Sequence, residues 1–518
     1  MTSTFPWLSL LTALPLAGAL ATLLAGRNRS AARWTAVVFA FACLALTLLI
    51  WHGFDAGTGA MQFEERHAWV PTLHIEYRVA IDGIGVLMLL LSAIVTLIGM
   101  AASWKIDERV PLYFALVLLL ESCLFGAFTA LNFVHWFTFW ELSLVPAFFL
   151  IKLWGGPKRS AAATQFLVYT MVGSVAMLLS MIALYLGTGQ WDFTALGQLA
   201  QSGALMPSVY AALHITRFTP ATFAMLLFAG AFLGFAVKVP AMPFHTWLPE
   251  AYSEAPSGTT ALLTGAMSKM GVYGFLRVLL PIFGVEMQRA HTLLLWIAAG
   301  TIVFSGFAAL AQKDLKRVFA YSSINHLAYC LLAIFAVASA GGMNPANIPQ
   351  QQAALSGVLF QMFNHGLTAA TLFWFLALLE GRSGGLRGID DFGGLRKVAP
   401  VFAGLMGIAI FSSLGLPGLN GFVGEFLIFR GWFALAVAQV SVSVLGLLLT
   451  AMFLLKVIQR VFAGPLAPRW MTFPDLTRNE RMALAPAIAL MFLLGLVPQL
   501  LLGPIHGTII ALVQALKF

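Results

Sequence analysis

Charge is what this 518-residue sequence has least of: 29 basic and 20 acidic side chains, 9% of the chain, against 60% apolar residues. About a quarter of an ordinary soluble chain is charged, so this composition excludes a soluble multidomain protein of the same length. Cysteine is equally scarce. Cys43, Cys123 and Cys330 lie far apart in apolar runs, which excludes a thiolate metal cluster or a disulfide framework and leaves them as small core residues. No glycine-rich turn follows a strand pattern, so no dinucleotide fold is expected. The longest polar connections, residues 52–81 and 188–217, are too short to fold alone.

What is present is a succession of long apolar runs. A membrane-spanning helix needs roughly 20 mostly apolar residues. Fourteen runs centre on Pro15, Leu44, Leu90, Leu119, Val145, Met177, Phe228, Gly265, Ile302, Leu331, Thr371, Ile410, Leu447 and Leu490. The sequence thus predicts an all-α polytopic membrane protein of about 14 transmembrane helices. Its expected regions are 1–105 (helices 1–3), 110–280 (helices 4–8), 291–461 (helices 9–13) and 480–518 (helix 14).

The basic residues orient this array. Nineteen lie on alternate connections beginning with Arg27, Arg29 and Arg33, whereas Arg66, Arg78, Arg217, Arg289, Arg430 and Lys517 lie on the opposite set. The positive-inside bias then puts both termini outside the cytoplasm, in what is expected to be a bacterial inner membrane. The net charge of +9 reports topology, and no nucleic-acid partner is expected. Lys456 and Arg460 read as side chains snorkelling at a helix end.

A few ionisable residues fall within the runs, where each costs at least a few kcal/mol unless it has a partner, a polar cavity or a function. They are Glu121 (helix 4), Glu141 (helix 5), Lys238 (helix 7), Lys269 and Arg277 (helix 8), His326 (helix 10), His365 (helix 11) and Glu425 (helix 12). Helix 7 also carries Pro240 and Pro243, and helix 12 carries Pro417 and Gly418. Both helices are expected to be discontinuous, because proline removes a backbone donor and broken backbone survives only against protein or water. Each is the fourth helix of a group of five, helices 4–8 and 9–13. An odd number per group inverts the second, the pattern of two inverted five-helix repeats around a midplane site.

At these residues the sequence resembles a known family. Phe139-Trp140-Glu141-Leu142 with Pro146 and Leu153-Trp154-Gly155-Gly156, the stretch from Phe235 through Lys238-Val239-Pro240 to Trp247-Leu248-Pro249-Glu250-Ala251, and Ala255-Pro256-Ser257 are similar to the antiporter-like subunits of NADH-quinone oxidoreductase, respiratory complex I. Ile81-Asp82-Gly83-Ile84, Lys313-Asp314-Leu315-Lys316-Arg317 with Tyr321-Ser322-Ser323, and Asn364-His365-Gly366 extend the likeness from about Ile81 to Arg460. Gly415-Leu416-Pro417-Gly418 leading to Gly424-Glu425-Phe426 resembles the M type, also known as chain 4, since the L and N types usually carry lysine near Glu425. The L type also has a long lateral C-terminal helix, and none is expected after the fourteenth span here.

The resemblance implies a proton relay in which Glu141 sets the charge state of Lys238, Lys269 is the central station and Glu425 the terminal carboxylate. The physics agrees, because desolvation weakens a lysine's hold on its proton and an approaching carboxylate restores it. His326 and His365 can bridge waters between Lys269 and Glu425 or serve as hydrogen-bonded core residues. His245 suits an entry or a packing role, and Glu121 and Arg277 are candidates for tuning. No catalytic redox site and no cofactor are expected in this chain; the resemblance implies that NADH, FMN, iron–sulfur clusters and quinone belong to partner subunits. Its expected partners are the L-, N- and K-type membrane-arm subunits and the lipid bilayer. The competing readings are a subunit of an Mrp-type sodium/proton antiporter, of a membrane-bound hydrogenase or of a CO2-uptake complex, and a scaffold that keeps the fold without transport.

Overall fold

The structure, a computed structural model, describes residues 5–26, 28–341 and 344–516. Arg27 and Lys517, both counted in the charge bias, lie outside the described residues. The chain opens with α1 (Trp7–Leu24) and α2 (Arg29–Gly53), then forms an antiparallel hairpin of β1 (Gln62–Val70) and β2 (Ile75–Ile81). The hairpin adds a β element to the expected helices. In β2, Ile75, Tyr77, Val79 and Ile81 alternate with Glu76, Arg78 and Ala80, a period of two that a search for apolar runs passes over. Buried Glu65 of β1 accepts from the Leu8 amide at 2.7 Å and from Ser9, supplying negative charge to the amide groups left open at the start of α1.

Next come α3 (Gly83–Ala102), α4 (Val110–Thr129), α5 (Phe133–Leu142) and α6 (Leu144–Trp154), which together make the fifth run, and α7 (Arg159–Thr188). Side-chain oxygens of Asn28, Asp82 and Asn132 cap α2, α3 and α5, which fixes where those helices start. Short helices α8 (Phe193–Gln201) and α9 (Leu205–Ala212) precede α10 (Pro220–Lys238) and α11 (Trp247–Glu254). The seventh helix is therefore broken directly after Lys238, over Pro240 and Pro243.

One helical run follows, made of α12 (Ser257–Leu262), α13 (Lys269–Gly274) and α14 (Leu280–Ile282) joined by π-helical turns Leu263–Met267 and Phe275–Leu279. Then come α15 (Gly284–Arg289), α16 (His291–Ala311), α17 (Leu315–Ala340) and α18 (Ile348–Ser383). The twelfth run is split into α19 (Pro400–Ser413) and α20 (Asn420–Trp432) by a turn in which Gly415 and Gly418 take φ of +79° and +94°, conformations suited to glycine. The chain closes with α21 (Val437–Val457), α22 (Arg478–Leu496) and α23 (Gln499–Ala515).

Among the described residues, twelve helices are long and apolar enough to cross a membrane. The two remaining predicted centres, Gly265 and Ile410, fall on the π-interrupted run and on shorter α19. After α22 the chain continues into α23, an apolar helix of 17 residues within the expected region 480–518. It packs on α3 and α18, and a side chain at Gly83 would strike the Pro504 carbonyl oxygen at 2.6 Å. Helices α17 and α18 are almost wholly buried at the centre, while α2 and α22 present most of their surface outward.

Candidate functional site

The interrupted helices deliver their charged residues to the middle of the protein. Gly271 and Gly274 allow α13 to lie against the end of α10, since a side-chain carbon there would meet Val239 at 2.7 Å and the Phe235 ring at 2.0 Å. That approach places Lys269, between two π-helical turns, beside the segment that ends in Lys238. Widened turns of this kind free backbone groups and concentrate at functional positions.

Lys238 is buried, its Nζ 4.5 Å above the Trp140 ring and 3.4 Å from Ser143 Oγ, to which it donates. Glu141 lies in electrostatic range but makes no direct ion pair with it, and Glu141 Oε1 is buried without a hydrogen-bond partner among the described residues. A small cavity lined by Lys238, Trp247, Tyr252 and Ser268 has room for about one water molecule. Across it, Ser268 Oγ is 3.5 Å from Lys269 Nζ.

From Lys269 onward the contacts are direct. Its fully buried Nζ lies 2.7 Å from His365 Nδ1 and donates to the Thr264 carbonyl oxygen at 2.5 Å. The His365 and His326 rings are 5.4 Å apart between centroids. His326 Nδ1 is 3.0 Å from Glu425 Oε1, and its Nε2 is 3.1 Å from Ser413 Oγ. Gln361 Nε2 donates to the same Glu425 oxygen at 3.4 Å. A second small polar cavity is lined by Gln361, Asn364, Thr368, Ser412 and Ser413 around these groups. Ions and amides in so dry a setting interact strongly, and charge is tolerated only where such partners exist.

The structure thus brings Lys269, His365, His326 and Glu425 into contact, with Lys238 separated from Ser268 by a small cavity and Glu141 in electrostatic range of Lys238. His365 contacts Lys269 directly, and His326 contacts Glu425. Three predicted residues stand apart. Glu121 is wholly buried in α4, near Thr96, with both oxygens unpartnered among the described residues. His245 sits in the break between α10 and α11, its ring 5.2 Å from that of Phe304 and its Nδ1 without a hydrogen-bond partner among the described residues. Arg277 points away from Lys269 and pairs with Asp82 at 2.5 Å. Sequence reasoning missed Ser143, Ser268, Gln361 and Ser413. The available signal was spacing: Gln361 and Asn364 precede His365 by four residues and one on α18, and Ser143 follows Glu141 by two.

Comparison with known proteins gives this arrangement a family. Residues 130–452 match the family described as NADH:quinone oxidoreductase/Mrp antiporter, TM. NADH-quinone oxidoreductase subunit M of Rhodobacter capsulatus is 35% identical over 98% of this chain and 96% of that protein. NAD(P)H-quinone oxidoreductase chain 4 1 of a Nostoc species is 33% identical over 96% and 89%. Among solved structures, a chain of respiratory complex I from Thermus thermophilus superposes with a TM-score of 0.83 at 26% identity, covering 99% of this chain and all of that one. A chain of the Mrp complex from a Dietzia species shares the fold, with a TM-score of 0.78 at 21% identity over 98% and 100%. This chain is an integral membrane protein that belongs to the antiporter-like family of NADH:quinone oxidoreductases and Mrp antiporters, beside the subunits of M type.

Proposed function

We propose that this chain is an M-type membrane-arm subunit that carries protons across the membrane, driven by electron transfer in partner subunits. The observation that carries this reading is the unbroken run of buried side chains Lys269, His365, His326 and Glu425, joined by contacts of 2.7 and 3.0 Å and by ring neighbours at 5.4 Å. Lys238 feeds the run from the broken seventh helix through the cavity at Ser268. Each group binds and releases a proton, and no other atom moves between stations. Glu141, without an ion pair of its own, biases Lys238 as the distance between them changes, and one pKa unit of bias corresponds to about 1.4 kcal/mol. Glu425 accepts from His326 and hands the proton on. The two groups of five helices act as inverted repeats, each contributing one broken helix to the line. NADH, flavin, iron–sulfur clusters and quinone belong to the partner subunits in this reading, and L-, N- and K-type subunits are its neighbours.

The test is proton pumping by the purified complex in sealed vesicles. Lys238→Ala, Lys269→Met and Glu425→Gln should each abolish or strongly reduce pumping while the complex still assembles, and His67→Ala should not. Full pumping in an assembled Lys238→Ala complex would overturn the relay. The matched family also contains Mrp antiporters, which supports a second reading, cation/proton exchange that includes sodium. Mass spectrometry of the native assembly separates the two: electron-carrying partners support the first, and small antiporter subunits without them support the second.

A further inference from the structure

Arg277 and Asp82 form a largely buried ion pair that the relay does not use. Arg277 follows Lys269 on the same helical run, and eight residues of helix rise about 12 Å. Its Nη2 donates to Asp82 Oδ1 at 2.5 Å, and its guanidinium carbon lies 5.5 Å from the Tyr273 ring centroid. The same carboxylate oxygen takes the Ile84 and Gly85 amides at 3.0 and 3.1 Å, which locks Asp82 to the first turn of α3. The neighbouring Gly83 amide donates to Thr508 Oγ1 of α23 at 2.8 Å. Tyr273 OH, one turn closer to Lys269, donates to the Phe128 carbonyl oxygen at 3.4 Å. The guanidinium is thus held by Asp82, itself fixed at the junction of the hairpin and α3, while its Nε has no hydrogen-bond partner among the described residues.

We propose that the Asp82–Arg277 pair is a plug. It closes the hairpin-side end of the helical run that carries Lys269, so a proton on Lys269 leaves through His365, His326 and Glu425 and not straight along its own helix. The proposal rests on the relay reading. A guanidinium fixed at the end of this run raises the barrier to a passing proton, as cationic side chains do in pores that exclude cations, and Asp82 serves to hold it in place. Arg277 is a positioning residue here, because it touches none of the relay groups.

The experiment measures passive proton leak in vesicles containing the whole complex, with a potassium diffusion potential and no NADH. Arg277→Gln should accelerate the collapse of the imposed gradient at least several-fold, and Arg277→Lys should restore tightness. Asp82→Asn, which frees the guanidinium without removing it, provides a second and milder leak. The leak in Arg277→Gln should persist when Glu425→Gln is added and disappear when Lys269→Met is added; a leak from loosened packing would survive both. Wild-type tightness in assembled Arg277→Gln and Asp82→Asn complexes would overturn the plug, as would a leak indifferent to Lys269. NADH-driven pumping by the Glu425→Gln single variant judges the relay separately. Normal pumping there would sink the relay exit while leaving the leak result to stand on its own.

Discussion

At the scale of single residues, the charges inside the protein sort by whether they have partners. Lys269, His365, His326 and Glu425 meet one another, whereas the Glu121 oxygens have no hydrogen-bond partner among the described residues and lie outside that group. A buried carboxyl without a hydrogen bond is a cost, and replacing such a group by an apolar side chain is commonly neutral or stabilising. Glu121→Met should therefore leave pumping unchanged and leave stability equal or higher by about 1–3 kcal/mol, read from the thermal melting of the complex; loss of pumping would return Glu121 to the mechanism. The ionisable residues inside long apolar runs were legible in the sequence, because charge there is conspicuous, whereas buried Glu65, Asp82 and Lys316, which lie outside such runs, were not. Which of the ionisable residues touch was not legible either. Arg277 lies two turns from Lys269 on one helix, yet its partner is Asp82, 195 positions earlier, and no periodicity carries that information. The serines and amides at the site, Ser143, Ser268, Gln361 and Ser413, resemble any other small polar residue in a membrane helix until the neighbouring helices are in place.

Elements were legible where a single physical signal governs them. Apolar length gave the uninterrupted helices, and proline with glycine gave the two breaks. The hairpin escaped because the pattern sought was one of long apolar runs, and β1 is mostly polar while β2 is short and alternating. The π-helical turns around Lys269 escaped because no composition marks them; they depend on how α13 must seat against α10. That seating is testable. A side chain at Gly274 would enter the Phe235 ring, and overpacking of this kind costs about 1–3 kcal/mol. Gly274→Val should lower the melting temperature of the complex and reduce pumping together, whereas valine at Gly300, where a side-chain carbon would meet nothing within 4 Å, should do neither.

For the whole molecule, the distribution of basic residues makes one commitment that geometry does not: the hairpin and α23 lie outside the cytoplasm, and the turn containing Arg396 and Lys397 lies within it. Cysteine introduced at exposed His67 should react with an impermeant maleimide added to intact cells, and cysteine at Lys397 only after the membrane is opened; the reverse pattern would invert the protein. A last consequence comes from where rigidity lies. The two central helices, α17 and α18, hold His326 and His365 in the most enclosed part of the protein, while Lys238 and Glu425 are mounted on the two helices that are broken. In electrical terms the relay we propose is a wire with an enclosed middle and a terminal contact beside each helix break. In that reading a neighbouring protein that shifts one broken helix interrupts the current without deforming the conductor, and because the two breaks lie in separate helices, one contact is opened while the other stays closed.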